Sequence, residues 1–247
     1  MKIEILPTSQ DAAAFVHDVL IGQLQSAPAS VLGLPTGATP ERVYALLVQT
    51  YRAGRCDWRD ATTFNLDEYR GLGRDHPQSY AQYMRRALFD HVNCPDASIH
   101  IPNGLAPDPA QEAAAYEAAI DRAGGVDLLL LGLGENAHIG FNEPGSPHDS
   151  RTRLVTLTAN TLSRNARFFP PGTTQPTEAI TMGIGTILSA RRLVLLVTGE
   201  AKAEALRASL YGPVTEAVPG SALQRHNEVL ISLVWQGGGG RIVAGGQ

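Results

Sequence analysis

Hydrophobic and polar positions along this chain switch repeatedly between the two-residue period of strands and the 3.6-residue period of helices. Residues 1–6 alternate like a first strand, 9–24 carry apolar residues at helical spacing, and 30–34 form a short apolar strand. Pro40 opens a helix to about residue 53, since a locked φ and a missing N–H suit the first turn. Residues 61–66 read as a strand, Pro77 starts a helix to about residue 91, and 98–101 read as a strand. Asp108-Pro109-Ala110-Gln111 supplies an N-cap, a first-turn proline and a glutamine at N3, and Gly124-Gly125 ends that helix. The chain then enters the apolar run 126–131, continued by Leu133, which predicts a central parallel strand covered on both faces. Strands at 153–157, 179–182, 192–198 and 229–235, with a helix at 200–210, complete the pattern.

Such alternation predicts an α/β fold: a doubly wound, mainly parallel open sheet with helices on both faces, Rossmann-like in outline. A chain of 247 residues can bury one sizeable core, so residues 1–236 are expected to form one domain. The Pro/Gly-rich stretch 169–176 reads as an exposed loop or lid base, and the glycine-rich residues 237–247 as a flexible tail. No internal repeat is present.

The formal net charge of -4 comes without any Lys/Arg run, which argues against nucleic acid as a partner. An anionic ligand must then be held by a few placed cations. Cys56 and Cys94 stand alone, without C-x-x-C or Cys/His spacing, which suits a reducing compartment and offers neither a disulfide pattern nor a metal site. The first residues lack a signal peptide's apolar core, and no segment approaches ~18 consecutive apolar residues. A soluble cytoplasmic protein without a membrane partner is expected.

Chemistry concentrates where strands end, as open α/β sheets require. The loop Gly132-Leu133-Gly134-Glu135-Asn136-Ala137-His138-Ile139-Gly140-Phe141-Asn142-Glu143-Pro144 leaves the central strand and carries His138 and Glu143. One histidine alone is more often a structural loop residue. The same context recurs at Asp67-Glu68-Tyr69, at the end of the 61–66 strand, so two strand ends are expected to face one crevice. A third strand-to-helix loop, Leu34-Pro35-Thr36-Gly37-Ala38-Thr39-Pro40, has the small and hydroxyl residues of a phosphate cradle. It is neither a P-loop nor a G-x-G-x-x-G turn, and by itself it is equally an ordinary tight turn.

Taken together, these segments resemble the glucosamine-6-phosphate deaminase (isomerase) family, related to the 6-phosphogluconolactonases, from about Ile3 to Trp235. The resemblance also rests on His76-Pro77-Gln78-Ser79-Tyr80, Ser150-Arg151-Thr152-Arg153, Asn165-Ala166-Arg167-Phe168-Phe169 and Gly183-Ile184-Gly185-Thr186. It implies conversion of glucosamine 6-phosphate and water to fructose 6-phosphate and ammonia, with no metal or organic cofactor and an amino-sugar phosphate as the small-molecule partner. By position, Asp67 matches the base that moves a proton from C2 to C1, His138 the residue that opens the sugar ring, and Glu143 its acidic partner. Thr36, Gly37, Ala38, Thr39, Arg167 and Lys202 match phosphate and sugar contacts.

Three departures from the family pattern stand out. Ala38 replaces a frequent glycine in the phosphate loop. Asn136 stands where many members carry a relay aspartate, and Ala137 where glycine is usual. Arg153 is retained from the effector site of the allosteric branch, but Val155 occupies its lysine position, so that site is incomplete and the oligomeric state, monomer or homo-oligomer, stays open. The expected activity is amino-sugar-phosphate deamination. Its rivals are a galactosamine 6-phosphate deaminase, a 6-phosphogluconolactonase-like hydrolase, and a catalytically silent sugar-phosphate sensor.

Overall fold

The computed structural model describes residues 1–169 and 173–234. Within them the strands are β1 (Lys2–Leu6), β2 (Val31–Leu34), β3 (Thr62–Asn65), β4 (Asp67–Tyr69), β5 (Ile99–His100), β6 (Leu128–Gly132), β7 (Arg153–Thr156), β8 (Glu178–Thr181), β9 (Arg192–Val197) and β10 (Val229–Val234). The helices are α1 (Ser9–Ser26), α2 (Glu41–Arg52), α3 (Tyr80–Ala87), α4 (Pro109–Arg122), α5 (Ala159–Asn165), α6 (Ile184–Leu188) and α7 (Ala203–Tyr211). Seven strands make a parallel sheet in the order β1-β10-β9-β6-β2-β3-β5.

The leucines of β6 show why both faces are covered. Leu128 and Leu130 point into one core, with Val16 and Leu20 of α1, Leu47 of α2 and Met84 of α3. Leu129 and Leu131 point into the other, with Ile120 of α4, Ile184 of α6 and Leu206 of α7. All four are at most 1% exposed, and each contributes roughly 1.5–3 kcal/mol by leaving water. Gly33 in β2 is required by this packing, because a Cβ there would press into the side chain of Leu129.

The strand order places a topological switch point between β2 and β6. From β2 the chain proceeds to β3 and β5 on one side; from β6 it proceeds to β9 and β10 on the other. The loops leaving these two strands therefore part over a crevice, the usual position of a ligand in such sheets.

The observed fold corrects several expectations. Residues 67–69 do not simply end a strand: they form β4 of a second sheet, antiparallel, in the order β4-β8-β7. The strands expected at 153–157 and 179–182 belong to this sheet and not to the parallel one. After Asn65 the chain leaves β3, and the Leu66 carbonyl accepts the N–H of Met182 at 2.7 Å, which brings Asp67 opposite Thr181. Strands of three or four residues carry too short a pattern to say which sheet they join.

The helix expected from Pro77 starts at Tyr80, because the Ser79 side chain accepts the Gln82 N–H and caps it there, and a 3-10 turn follows at Phe89–His91. The helix expected at 200–210 opens with a 3-10 turn, Glu200–Lys202. The Asp108 cap is found as expected, accepting from the N–H groups of Ala110 and Gln111. Part of the expected lid base at 169–176, Trp235 and the glycine-rich tail lie outside the described residues.

Candidate active site

The loop after β2 turns through Gly37 at φ 108°, a left-handed conformation that only glycine adopts without strain. Among the described residues, the N–H groups of Thr36, Gly37, Ala38 and Thr39 donate to no acceptor in the protein. They precede the first turn of the twelve-residue helix α2, where free N–H groups and the helix dipole both favour an anion. Arg167 and Lys202 line the same cleft. The Lys202 ammonium donates to the Leu133 carbonyl, which holds this cation at the end of β6.

The loop after β6 carries a hydrogen-bonded chain. His138 Nδ1 lies 2.7 Å from Asn136 Oδ1, and Asn136 Nδ2 donates to Glu143 Oε2 at 2.6 Å. An ionised carboxylate only accepts, so the amide turns its NH2 to Glu143 and its oxygen to the ring. The proton of a neutral imidazole is thereby assigned to Nδ1, which makes Nε2 the ring's basic nitrogen. Glu143 is 8% exposed, and its other oxygen accepts from the hydroxyls of Thr161 and, at 3.3 Å, Thr158 at the start of α5. Ring and carboxylate are themselves 3.8 Å apart, so Asn136 is the closer link.

Two backbone features shape this loop. Any side chain at Gly134 would collide with the His138 ring. Ala137 has φ 65°, making it the only non-glycine residue among those described with positive φ. The left-handed conformation costs alanine about 1–2 kcal/mol.

Asp67 opens β4 on the other side of the cleft. It is 6% exposed, and among the described residues no group hydrogen-bonds its carboxylate. Burial, and secondarily the charge of Glu68, pushes its pKa up to about 8. Glu68 is also raised by burial, to about 7, but the N–H groups of Tyr80, Ala81 and Tyr69 oppose that rise at 2.9, 2.8 and 2.8 Å. By accepting the first two N–H groups of α3, Glu68 also fastens that helix to β4.

A cleft of about 480 Å³ joins these parts, lined by the 35–40 loop, Asp67, Tyr80, Asn136, His138, Arg167 and Lys202. Its size is that of a small-molecule site. A family model described as glucosamine-6-phosphate isomerases/6-phosphogluconolactonase matches residues 7–234. The chain belongs to that family.

Within the glucosamine-6-phosphate isomerase/6-phosphogluconolactonase family, the chain is similar to a glucosamine-6-phosphate deaminase of Rhodopirellula baltica, 52% identical over 94% of this chain and 93% of the relative. A glucosamine-6-phosphate deaminase of Cellvibrio japonicus is 49% identical over 94% and 88%. The solved structure of a monomeric glucosamine-6-phosphate deaminase superposes with a TM-score of 0.91 at 42% identity, covering 95% of this chain and 97% of that one. A 6-phosphogluconolactonase from Thermotoga maritima, 20% identical with a TM-score of 0.74 over 94% of this chain and 98% of that one, shares the fold.

The structure gathers Thr36, Gly37, Ala38, Thr39, Asp67, Asn136, His138, Arg167 and Lys202 around one cleft, with Glu143 behind Asn136. Sequence reasoning missed Glu68 as a helix-capping carboxylate and missed Thr158 and Thr161 as donors to Glu143. The spacing of Thr158 and Thr161 at the mouth of a helix was a usable signal, since a threonine N-cap and a residue three positions on face the same side. Arg153 also proves inward-facing, donating to Asn142 Oδ1 at 2.7 Å and Ser146 Oγ at 3.2 Å.

Proposed function

We propose that this protein deaminates glucosamine 6-phosphate, releasing fructose 6-phosphate and ammonia. The observation that carries the reading is the donor-starved Asp67 carboxylate in the same cleft as an oriented His138. A proton on carbon is a weak acid, and a carboxylate that burial strips of most of its hydration, with no hydrogen-bond donor to it among the described residues, is a stronger base toward it.

In this reading the sugar phosphate enters with its phosphate on the N–H groups of residues 36–39, assisted by Arg167 and Lys202. His138 Nε2 takes the proton of the anomeric hydroxyl and returns one to the ring oxygen, opening the pyranose. Ionised Asp67 then removes the C2 proton, the electron pair passes toward C1, and the enolamine forms. Return of a proton to C1 gives an imine at C2, water adds there, and ammonia leaves with the ketose product. Asn136 and Glu143 hold the imidazole in the required tautomer throughout.

Incubation with glucosamine 6-phosphate should release ammonia and fructose 6-phosphate in equal amounts. Binding without either product would overturn the reading. Among the described residues no three His, Cys, Asp or Glu side chains cluster as a metal site, and turnover is expected to survive EDTA. Activity lost in EDTA and restored by a divalent ion would refute that expectation. With Arg153 engaged internally and valine at 155, kinetics should be hyperbolic and unresponsive to N-acetylglucosamine 6-phosphate. Sigmoidal curves straightened by that sugar would contradict it.

A further inference from the structure

Three carbonyls at the base of the anion loop are held by side chains from three different elements. Asn65 Nδ2, on β3, donates to the Leu34 carbonyl at 2.9 Å. The Tyr44 hydroxyl, on α2, donates to the Pro35 carbonyl. The Tyr83 hydroxyl, on α3, donates to the Gly37 carbonyl at 2.6 Å. Because a trans peptide unit is planar, its C=O and the following N–H point in opposite directions. Holding the oxygens of Pro35 and Gly37 against tyrosines therefore turns the N–H groups of Thr36 and Ala38 the other way, and both of these residues line the cleft.

We propose that Tyr44 and Tyr83 are positioning residues of the phosphate cradle, which by anchoring the Pro35 and Gly37 carbonyls commit the N–H groups of Thr36 and Ala38 to the substrate's phosphate. The inference rests on the sugar-phosphate reading of the cleft. An unanchored carbonyl could rotate its partial negative charge toward the anion, and the loop needs such restraint because Gly37 leaves its backbone permissive. Tyr44 is fully buried, and burial raises the pKa of both phenols, so each stays protonated and able to donate. Neither tyrosine is required to touch the phosphate.

The test compares Tyr44→Phe, Tyr83→Phe and the double variant with the wild type. The readouts are kcat and KM for glucosamine 6-phosphate and the Kd of inorganic phosphate by calorimetry. Each single change is expected to raise KM and the phosphate Kd together, by about 3–10-fold, with kcat within about twofold, as for one lost neutral hydrogen bond that acts on binding. An unchanged phosphate Kd, or a fall in kcat without a change in Kd, would overturn the proposal. Should Tyr44→Phe fail to fold, Tyr83→Phe decides alone, because Tyr83 is only half-buried and loss of its hydroxyl leaves the core intact. If the wild type binds phosphate but does not turn over the sugar, weaker phosphate binding in the variants still supports the cradle while the deaminase reading falls. If turnover stands and phosphate binding ignores both tyrosines, only the cradle inference falls.

Discussion

Asp67 and Glu143 are both buried carboxylates beside the same cleft, yet their surroundings are opposite. Glu143 accepts from Asn136, Thr158 and Thr161, so both its oxygens are occupied by donors and the group orients an amide and, through it, an imidazole. Asp67 accepts no hydrogen bond among the described residues and stands beside a second carboxylate, Glu68. The contrast separates two tasks that the same functional group can perform. A well-solvated anion is a fixed point for geometry; a poorly solvated one is a base in waiting, destabilised until a proton is within reach. The cleft needs both, and it obtains them by distributing hydrogen-bond donors unequally.

The largest effect should come from Asp67→Asn, which removes the base without changing its volume. We expect kcat to fall by about 10²–10⁴-fold with little change in KM. Exchange of the product's C1 hydrogen with deuterated water at the wild-type rate would disprove the role. The same variant tests the strain. Asp67 is raised from 3.8 to about 8 in the folded protein, so between those pH values the folded state binds more protons than the unfolded one. Its contribution to stability must therefore decline as pH rises from about 4 to 8. Thermal melts should show that decline weakened in Asp67→Asn; an identical pH slope would mean that Asp67 is not destabilised by its burial.

On the Glu143 side, Gly134→Ala attacks geometry alone. The new methyl group collides with the His138 ring, and displacement of a catalytic group by about 1 Å can cost on the order of 10²-fold in kcat/KM. Wild-type activity in a folded Gly134→Ala protein would show that ring placement is not limiting. A subtler change is Asn136→Asp, which replaces a neutral orienting amide with an acid. An anion there favours imidazolium, so the acidic limb of the kcat/KM profile should move to higher pH by about one unit. Glu143 lies 2.6 Å from the Asn136 amide, so the introduced acid would also replace a donor to that carboxylate with a second acceptor. A limb that moves to lower pH would show that the amide does not tune the ring.

The smallest expected effect is that of Ala137→Gly, which relieves the positive φ of the histidine loop. The lower flexibility of alanine in the unfolded chain offsets part of the gain, leaving an increase in stability of about 0.5–1 kcal/mol. Chemical denaturation would measure it, and a loss of stability would show that the loop relaxes around alanine without strain.

The local pattern was enough to identify most of the elements. Consecutive leucines at 128–131 can be buried only between two helical layers, and Asp108-Pro109 can begin a helix almost without regard to its surroundings. The ligand crevice follows from the same reading, since strand-helix alternation places loops 35–40 and 132–144 at one sheet edge. Residue identity likewise marked Asp67, His138 and Glu143 as chemical groups. Tertiary structure decided what each of them became. Whether 67–69 ended a strand or began another depended on antiparallel pairing with residues more than a hundred positions away, which no local period records. Two of the donors to Glu143, Thr158 and Thr161, come from a later helix, and Asp67 is destabilised as an anion because burial leaves it without a hydrogen-bond donor among the described residues. Hydrogen-bond donors are a property of the packed neighbourhood, and for that reason two carboxylates alike in sequence can serve different ends in the folded protein.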